Sequence, residues 1–140
     1  MTLDLDAITS QHRSDPTRLV QMLRDVMEVE GRVSPAVITA LAARLGLPRA
    51  QVEGVVGFYA FFHAEDRGRY RVLFSDNITD EMAGSRALRQ RMLDAFGLRE
   101  GEVSRDGAVS IGTTSCTGLC DQGPAMMVND RAIGRLTGAR

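Results

Sequence analysis

The order of apolar and polar positions separates a helical first part of the chain from a mixed second part. Asp15-Pro16 is a helix start, a capping acid followed by proline at the first helical position. Leu19, Met22, Leu23, Val26 and Met27 then follow helical spacing through Glu30, and Gly31 closes the run. Ser34-Pro35 repeats the signal; Val37, Ile38, Leu41 and Leu45 form the next stripe, and Gly46 ends it. Leu47-Pro48 opens a third helix carrying Val52, Val55, Val56 and Tyr59. Short helices joined by tight connections predict a helical bundle over residues 1–65.

The pattern changes at the polar turn Asp66-Arg67-Gly68-Arg69. Tyr70–Phe74 reads as a strand, a polar loop follows, and Ala83–Phe96 reads as a helix. That helix sets Leu88, Met92, Leu93 and Phe96 on one face, and Gly97 stops it. Val109 and Ile111 alternate with polar residues as a strand does, and Ala125–Val128 is a second short strand expected to pair with it. Asn129-Asp130 forms a hairpin turn into Arg131–Ile133. Strand, helix, strand, strand predicts a thioredoxin-like α/β domain over 66–140. The expected fold class is therefore α+β, a helical bundle followed by that domain.

Composition narrows the function without naming it. Lys and Arg total 17 against 18 acids, a formal charge of -1, which leaves no field to attract nucleic acid or an anionic membrane. No apolar run approaches the ~20 residues of a membrane span. The first residues, from Met1 to Asp6, are acidic and lack the basic and apolar regions of a signal peptide, so a cytoplasmic location is expected. His12 and His63 have no metal-ligand partner at suitable spacing and are expected at the surface. The aromatic run Phe58–Phe62 reads as core or interface packing, and Met126-Met127 as strand core. Asp4, Asp6, Glu28 and Glu30 read as solvated helix surface, and Asn77-Ile78-Thr79 matches a glycosylation pattern by chance.

Chemistry concentrates in Thr114–Pro124. Cys116 and Cys120 stand close enough in a glycine-containing loop for both thiols to turn toward one metal, and two neighbouring cysteines in a cytoplasmic chain point to metal or redox chemistry. Thiolates are the soft ligands that iron-sulfur centres prefer. Gly118 and Gly123 allow close backbone approach, with N–H groups directed toward sulfur. The bland reading is two small apolar residues packed in a loop. A thiol enzyme would need a lowered thiol pKa, and the nearest charge in the loop is Asp121.

Cys116, Gly118, Cys120 and Pro124 match C-x-G-x-C-x-x-x-P, Phe58-Tyr59-Ala60-Phe61-Phe62 matches F-Y-x-x-F, and Asp106-Gly107 gives a D-G turn before the second strand. In these motifs the chain resembles the thioredoxin-like [2Fe-2S] component family of respiratory complex I, the 24 kDa or E-type component, with relatives in NAD-reducing hydrogenases and formate dehydrogenases. His12-Arg13-Ser14-Asp15-Pro16-Thr17-Arg18-Leu19 is similar to the opening of the amino-terminal domain of the hydrogenase diaphorase flavoprotein. The end of the chain, Thr137-Gly138-Ala139-Arg140, reads as that of a domain cut from a longer protein.

The resemblance implies four cysteine ligands, but Ser75 and Asp80 stand where the family's first pair belongs, if Gly84 is aligned with the family's glycine. The metal set is thus reduced to Cys116 and Cys120, and the [2Fe-2S] cluster is expected to be absent. If one were bound, the site would be a mixed one of two Cys, Ser and Asp. Asp80 also reads as a cap just before a helix. No glycine-rich nucleotide fingerprint occurs, so the resemblance puts NADH and FMN on a partner flavoprotein module, with further iron-sulfur or hydrogenase subunits as partners. The implied function is an accessory electron-transfer or docking domain without autonomous activity. The alternatives are a purely structural docking module and a thiol redox protein using Cys116 and Cys120.

Overall fold

The structure, a computed structural model, describes residues 2–138; Met1, Ala139 and Arg140 of the two chain ends lie outside it. The chain forms two units, one up to Asp66 and one from Arg67 onward. No helix among the described residues is long and apolar enough to cross a membrane.

In the first unit, local capping chemistry sets the helix boundaries. The Asp4 carboxylate accepts the Asp6 and Ala7 N–H groups at 3.0 Å and starts α1, Leu5–Gln11. Asp15 caps a single 3-10 turn, Pro16–Arg18, which runs into α2, Leu19–Glu30. Ser34 caps α3, Pro35–Leu45, through the Val37 N–H at 3.3 Å. Gly31 and Gly46 end α2 and α3 at φ 71° and 65°, where a side chain would be strained. α4 spans Arg49–Phe58. Met22, Leu23, Val26, Val33, Leu41 and Val52 are wholly buried at the centre. Of the aromatic run, Phe62 is buried and packs edge-on against Phe61 with ring centroids 4.7 Å apart, whereas Phe58 is 79% exposed.

Both histidines are buried, contrary to the surface position expected of them. His12 follows α1 and its Nε2 lies 2.6 Å from Asp25 Oδ2 on α2. His63 Nε2 donates to the Gly31 carbonyl at 3.1 Å, and its own carbonyl accepts the Val33 N–H at 2.8 Å. The His63 ring thus satisfies a carbonyl at the end of α2, and the His12 ring pairs with a carboxylate 13 positions along the chain, long-range uses that sequence spacing does not reveal.

In the second unit, β1 (Tyr70–Ser75), β2 (Val109–Thr114), β3 (Met126–Val128) and β4 (Arg131–Ile133) form a sheet in the order β2-β1-β3-β4. β1 and β2 run parallel, from Tyr70↔Val109 to Ser75↔Thr114. β3 lies antiparallel to β1, with Phe74 opposite Met126, and turns at Asn129 (φ 55°) into β4. The expected pairing of 109–111 with 125–128 is therefore wrong, because β1 lies between those strands. Val72 and Phe74 are buried, so β1 takes the centre. β2 reaches one edge through the helical crossover that a parallel pair requires, and β3 returns on the other.

The crossover is also more divided than the apolar pattern predicts. A short α5, Ile78–Met82, precedes α6, Ser85–Phe96, and the two are separated at Gly84, where φ is 98°. α6 places Leu93 in the core with Val72, Phe74, Ile111 and Leu136, while Phe96 stays half exposed.

Candidate functional site

The sheet order brings the two motif segments together. Since β2 and β3 flank β1 on opposite edges, the chain from Thr114 to Met126 must cross the carboxyl end of β1. Two backbone bonds fasten this crossing: Asp76 N–H donates to the Thr114 carbonyl at 2.9 Å, and Ser75 N–H to the Ala125 carbonyl at 3.0 Å. The cysteine loop thereby lies over the Ser75–Asp80 segment.

Ser75 and Asp80 are wholly buried. The Ser75 hydroxyl donates to Asp80 Oδ2 at 2.7 Å and lies 3.2 Å from the Ser115 carbonyl. Asp80 Oδ1 accepts the Ala125 N–H at 2.9 Å. Ser85, also wholly buried, donates its hydroxyl to the Ser75 carbonyl at 2.8 Å. Gly123 is needed beside this carboxylate, because a Cβ there would stand 2.7 Å from Asp80 Oδ1. Asp80 is not the helix cap expected of it. That role belongs to Asn77, whose Oδ1 accepts the Asp80 N–H at 2.9 Å and the Thr79 hydroxyl at 2.6 Å.

Cys116 and Cys120 have the opposite character. Both are exposed free thiols, with their sulfurs 3.3 Å apart. Gly118, in the left-handed region at φ 79°, turns the loop so that its N–H donates to Cys116 Sγ at 3.3 Å. The Asn77 amide donates to Cys120 Sγ at 3.5 Å. The Gly118 N–H, aided by the Cys120 thiol, lowers the Cys116 pKa below that of an ordinary cysteine. The Cys120 pKa is raised, chiefly because its proton is engaged by Cys116. The pair therefore has one sulfur primed toward the thiolate and one that keeps its proton. A backbone N–H thus lowers the Cys116 pKa against the opposing charge of Asp80 beneath the loop.

The structure thus brings all four sequence-predicted residues to one end of the sheet, but as two separate layers. Asn77, Ser85 and the Asp80–Gly123 contact were not singled out from the sequence; the run Asn-x-x-Asp before a short helix was the available signal for Asn77. Among the described residues, no group of three or more His, Cys, Asp or Glu is placed to hold a metal ion.

The chain matches the model of the thioredoxin-like [2Fe-2S] ferredoxin family over residues 5–140. It is 30% identical to an E-type component of NADH-quinone oxidoreductase from Rhizobium meliloti (strain 1021), over 100% of this chain and 83% of that protein. It is 33% identical to the alpha component of the NAD-reducing hydrogenase HoxS of Cupriavidus necator, over 94% of this chain but only 22% of that protein. The crystal structure of an NAD+-reducing [NiFe]-hydrogenase in the H2-reduced state superimposes with a TM-score of 0.71 at 30% identity, over 88% of this chain and 20% of the hydrogenase chain. The fold, the crossing loop with its cysteine pair and these matches together establish that the chain belongs to the thioredoxin-like [2Fe-2S] ferredoxin family.

Proposed function

We propose that this chain is an accessory domain of an NADH-linked oxidoreductase complex and that it holds no [2Fe-2S] cluster of its own. In this reading it docks with a flavoprotein module that binds NADH and FMN, alongside further iron-sulfur or hydrogenase subunits. The observation that carries the cluster-free reading is the buried bond from the Ser75 hydroxyl to Asp80 Oδ2 at 2.7 Å. A family-type cluster needs four soft donors, and only Cys116 and Cys120 supply them. Ser75 and Asp80 are hard oxygen donors already committed to each other and to the Ala125 N–H. Turning them toward iron would strand that N–H in the interior. The residues present do not fit the cluster.

The accessory role is supported by the relatives, which are named as components of an NADH-quinone oxidoreductase and of an NAD-reducing hydrogenase. With no glycine-rich nucleotide fingerprint in its sequence, this chain leaves NADH and FMN to its partner. The test is NADH oxidation by the purified chain with an artificial electron acceptor. No turnover is expected from the chain alone, and its stable binding to a flavoprotein module that itself oxidises NADH supports the assignment. Robust NADH oxidation by the chain alone overturns it.

A further inference from the structure

We propose that Cys116 and Cys120 form a reversible dithiol–disulfide couple that exchanges two electrons with low-molecular-weight thiols and disulfides of the glutathione class. The proposal rests on the cluster-free reading, since a cluster would occupy both sulfurs. Three observations carry it. The sulfurs already stand 3.3 Å apart, and closing to a bond of about 2.05 Å asks only a small movement of a loop that Gly118 turns. Both cysteines are exposed, so a soluble disulfide can reach them. The layer beneath is fixed by the buried Ser75, Asp80 and Ser85 bonds, so the loop can change redox state over a floor that does not depend on either sulfur.

The chemistry balances without a metal. One cysteine thiolate attacks a sulfur of the external disulfide, forming a mixed disulfide and releasing one thiol after proton uptake. The second cysteine gives up its proton and attacks the protein sulfur of that mixed disulfide, closing the Cys116–Cys120 bond and releasing the second thiol. The protein loses two electrons and two protons, and the external disulfide gains both. Excess thiol reverses the sequence.

The experiment equilibrates the anaerobically purified chain with glutathione buffers of graded ratio, quenches with acid, alkylates free thiols and reads masses, with iron measured on the same samples. The expected result is one reversible transition from a doubly alkylated chain to an unalkylated one, lighter by two hydrogens than the unmodified reduced chain, at negligible iron. Cys116→Ser and Cys120→Ser should each stop at a mixed disulfide with glutathione. A chain that stays doubly alkylated at every ratio, or carries two mixed disulfides with no internal bond, and holds no iron overturns this inference and leaves the cluster-free reading standing. About two irons per chain with thiols protected from alkylation overturns the cluster-free reading itself.

Discussion

Ser75 and Asp80 lie wholly out of solvent, whereas Cys116 and Cys120, on the loop that crosses above them, are exposed. In the family resemblance these are two equivalent ligand pairs, yet here their physical roles have parted. The oxygen pair faces inward and joins the end of β1 and α5 to the segment before β3 by hydrogen bonds. The sulfur pair faces outward and touches the rest of the site through the Asn77 amide. On the cluster-free proposal, Ser75 and Asp80 fill the place of a ligand pair by satisfying each other and the Ala125 N–H.

This contrast predicts very different costs for substitution on the two sides. Asp80→Ala removes the acceptor of two buried donors, Ser75 O–H and Ala125 N–H. The serine can turn to the Ser115 carbonyl, so the stranded N–H dominates and the expected loss is about 3 kcal/mol. Urea unfolding should show a lower midpoint with unchanged slope. Cys116→Ser, at an exposed position, should stay within about 0.5 kcal/mol. Equal losses on both sides would erase the distinction.

Gly123→Ala is the next largest effect. Its Cβ would meet Asp80 Oδ1 at 2.7 Å, which should cost about 2 kcal/mol. In an Asp80→Ala background that clash is gone, so the two losses should fall well short of adding. Additive losses would mean that Gly123 acts independently of the carboxylate.

The smallest effect separates the two sulfurs. Because the Cys116 pKa is lowered, its thiolate persists at pH values below those where an ordinary cysteine ionises, and the raised Cys120 pKa delays ionisation to higher pH. The Gly118 N–H survives in Cys120→Ser, so alkylation of that variant should set in at lower pH than alkylation of Cys116→Ser. In the latter no such N–H lowers the pKa of the remaining thiol, and the chief cause of its raised pKa, the Cys116 sulfur, is gone. Coincident profiles would show that the Gly118 N–H is not directed at the sulfur in solution.

Much of the fold is legible in the sequence because its signals are local. Asp15-Pro16, Ser34-Pro35, Gly31 and Gly46 set helix ends within a turn of themselves, and Tyr70–Phe74 announces its strand by its own composition. Strand order is not local. Nothing within Val109–Ile111 or Ala125–Val128 says that both pair with β1 and not with each other. α5 is hidden for a related reason: its Ile78 and Met82 are 74% and 82% exposed, so it carries no buried stripe. The cysteine pair is evident from spacing, whereas Ser75 and Asp80 stand at ligand positions only as the family resemblance implies, with Gly84 aligned. That Asp80 turns to the backbone of Ala125, 45 positions along the chain, follows only from the tertiary crossing.

On the cluster-free proposal, Ser75 and Asp80 act as a buried lock and not as ligands. Iron content and visible absorption after anaerobic purification test it most directly, on the chain as it stands and on Ser75→Cys/Asp80→Cys. Negligible iron and no iron-sulfur absorption are expected for the first, and about two irons per chain with such absorption for the second, where the outward-facing Cys116–Cys120 loop can turn onto a second thiol pair. About two irons per chain in the unaltered protein, lost on Cys120→Ala, would contradict that proposal.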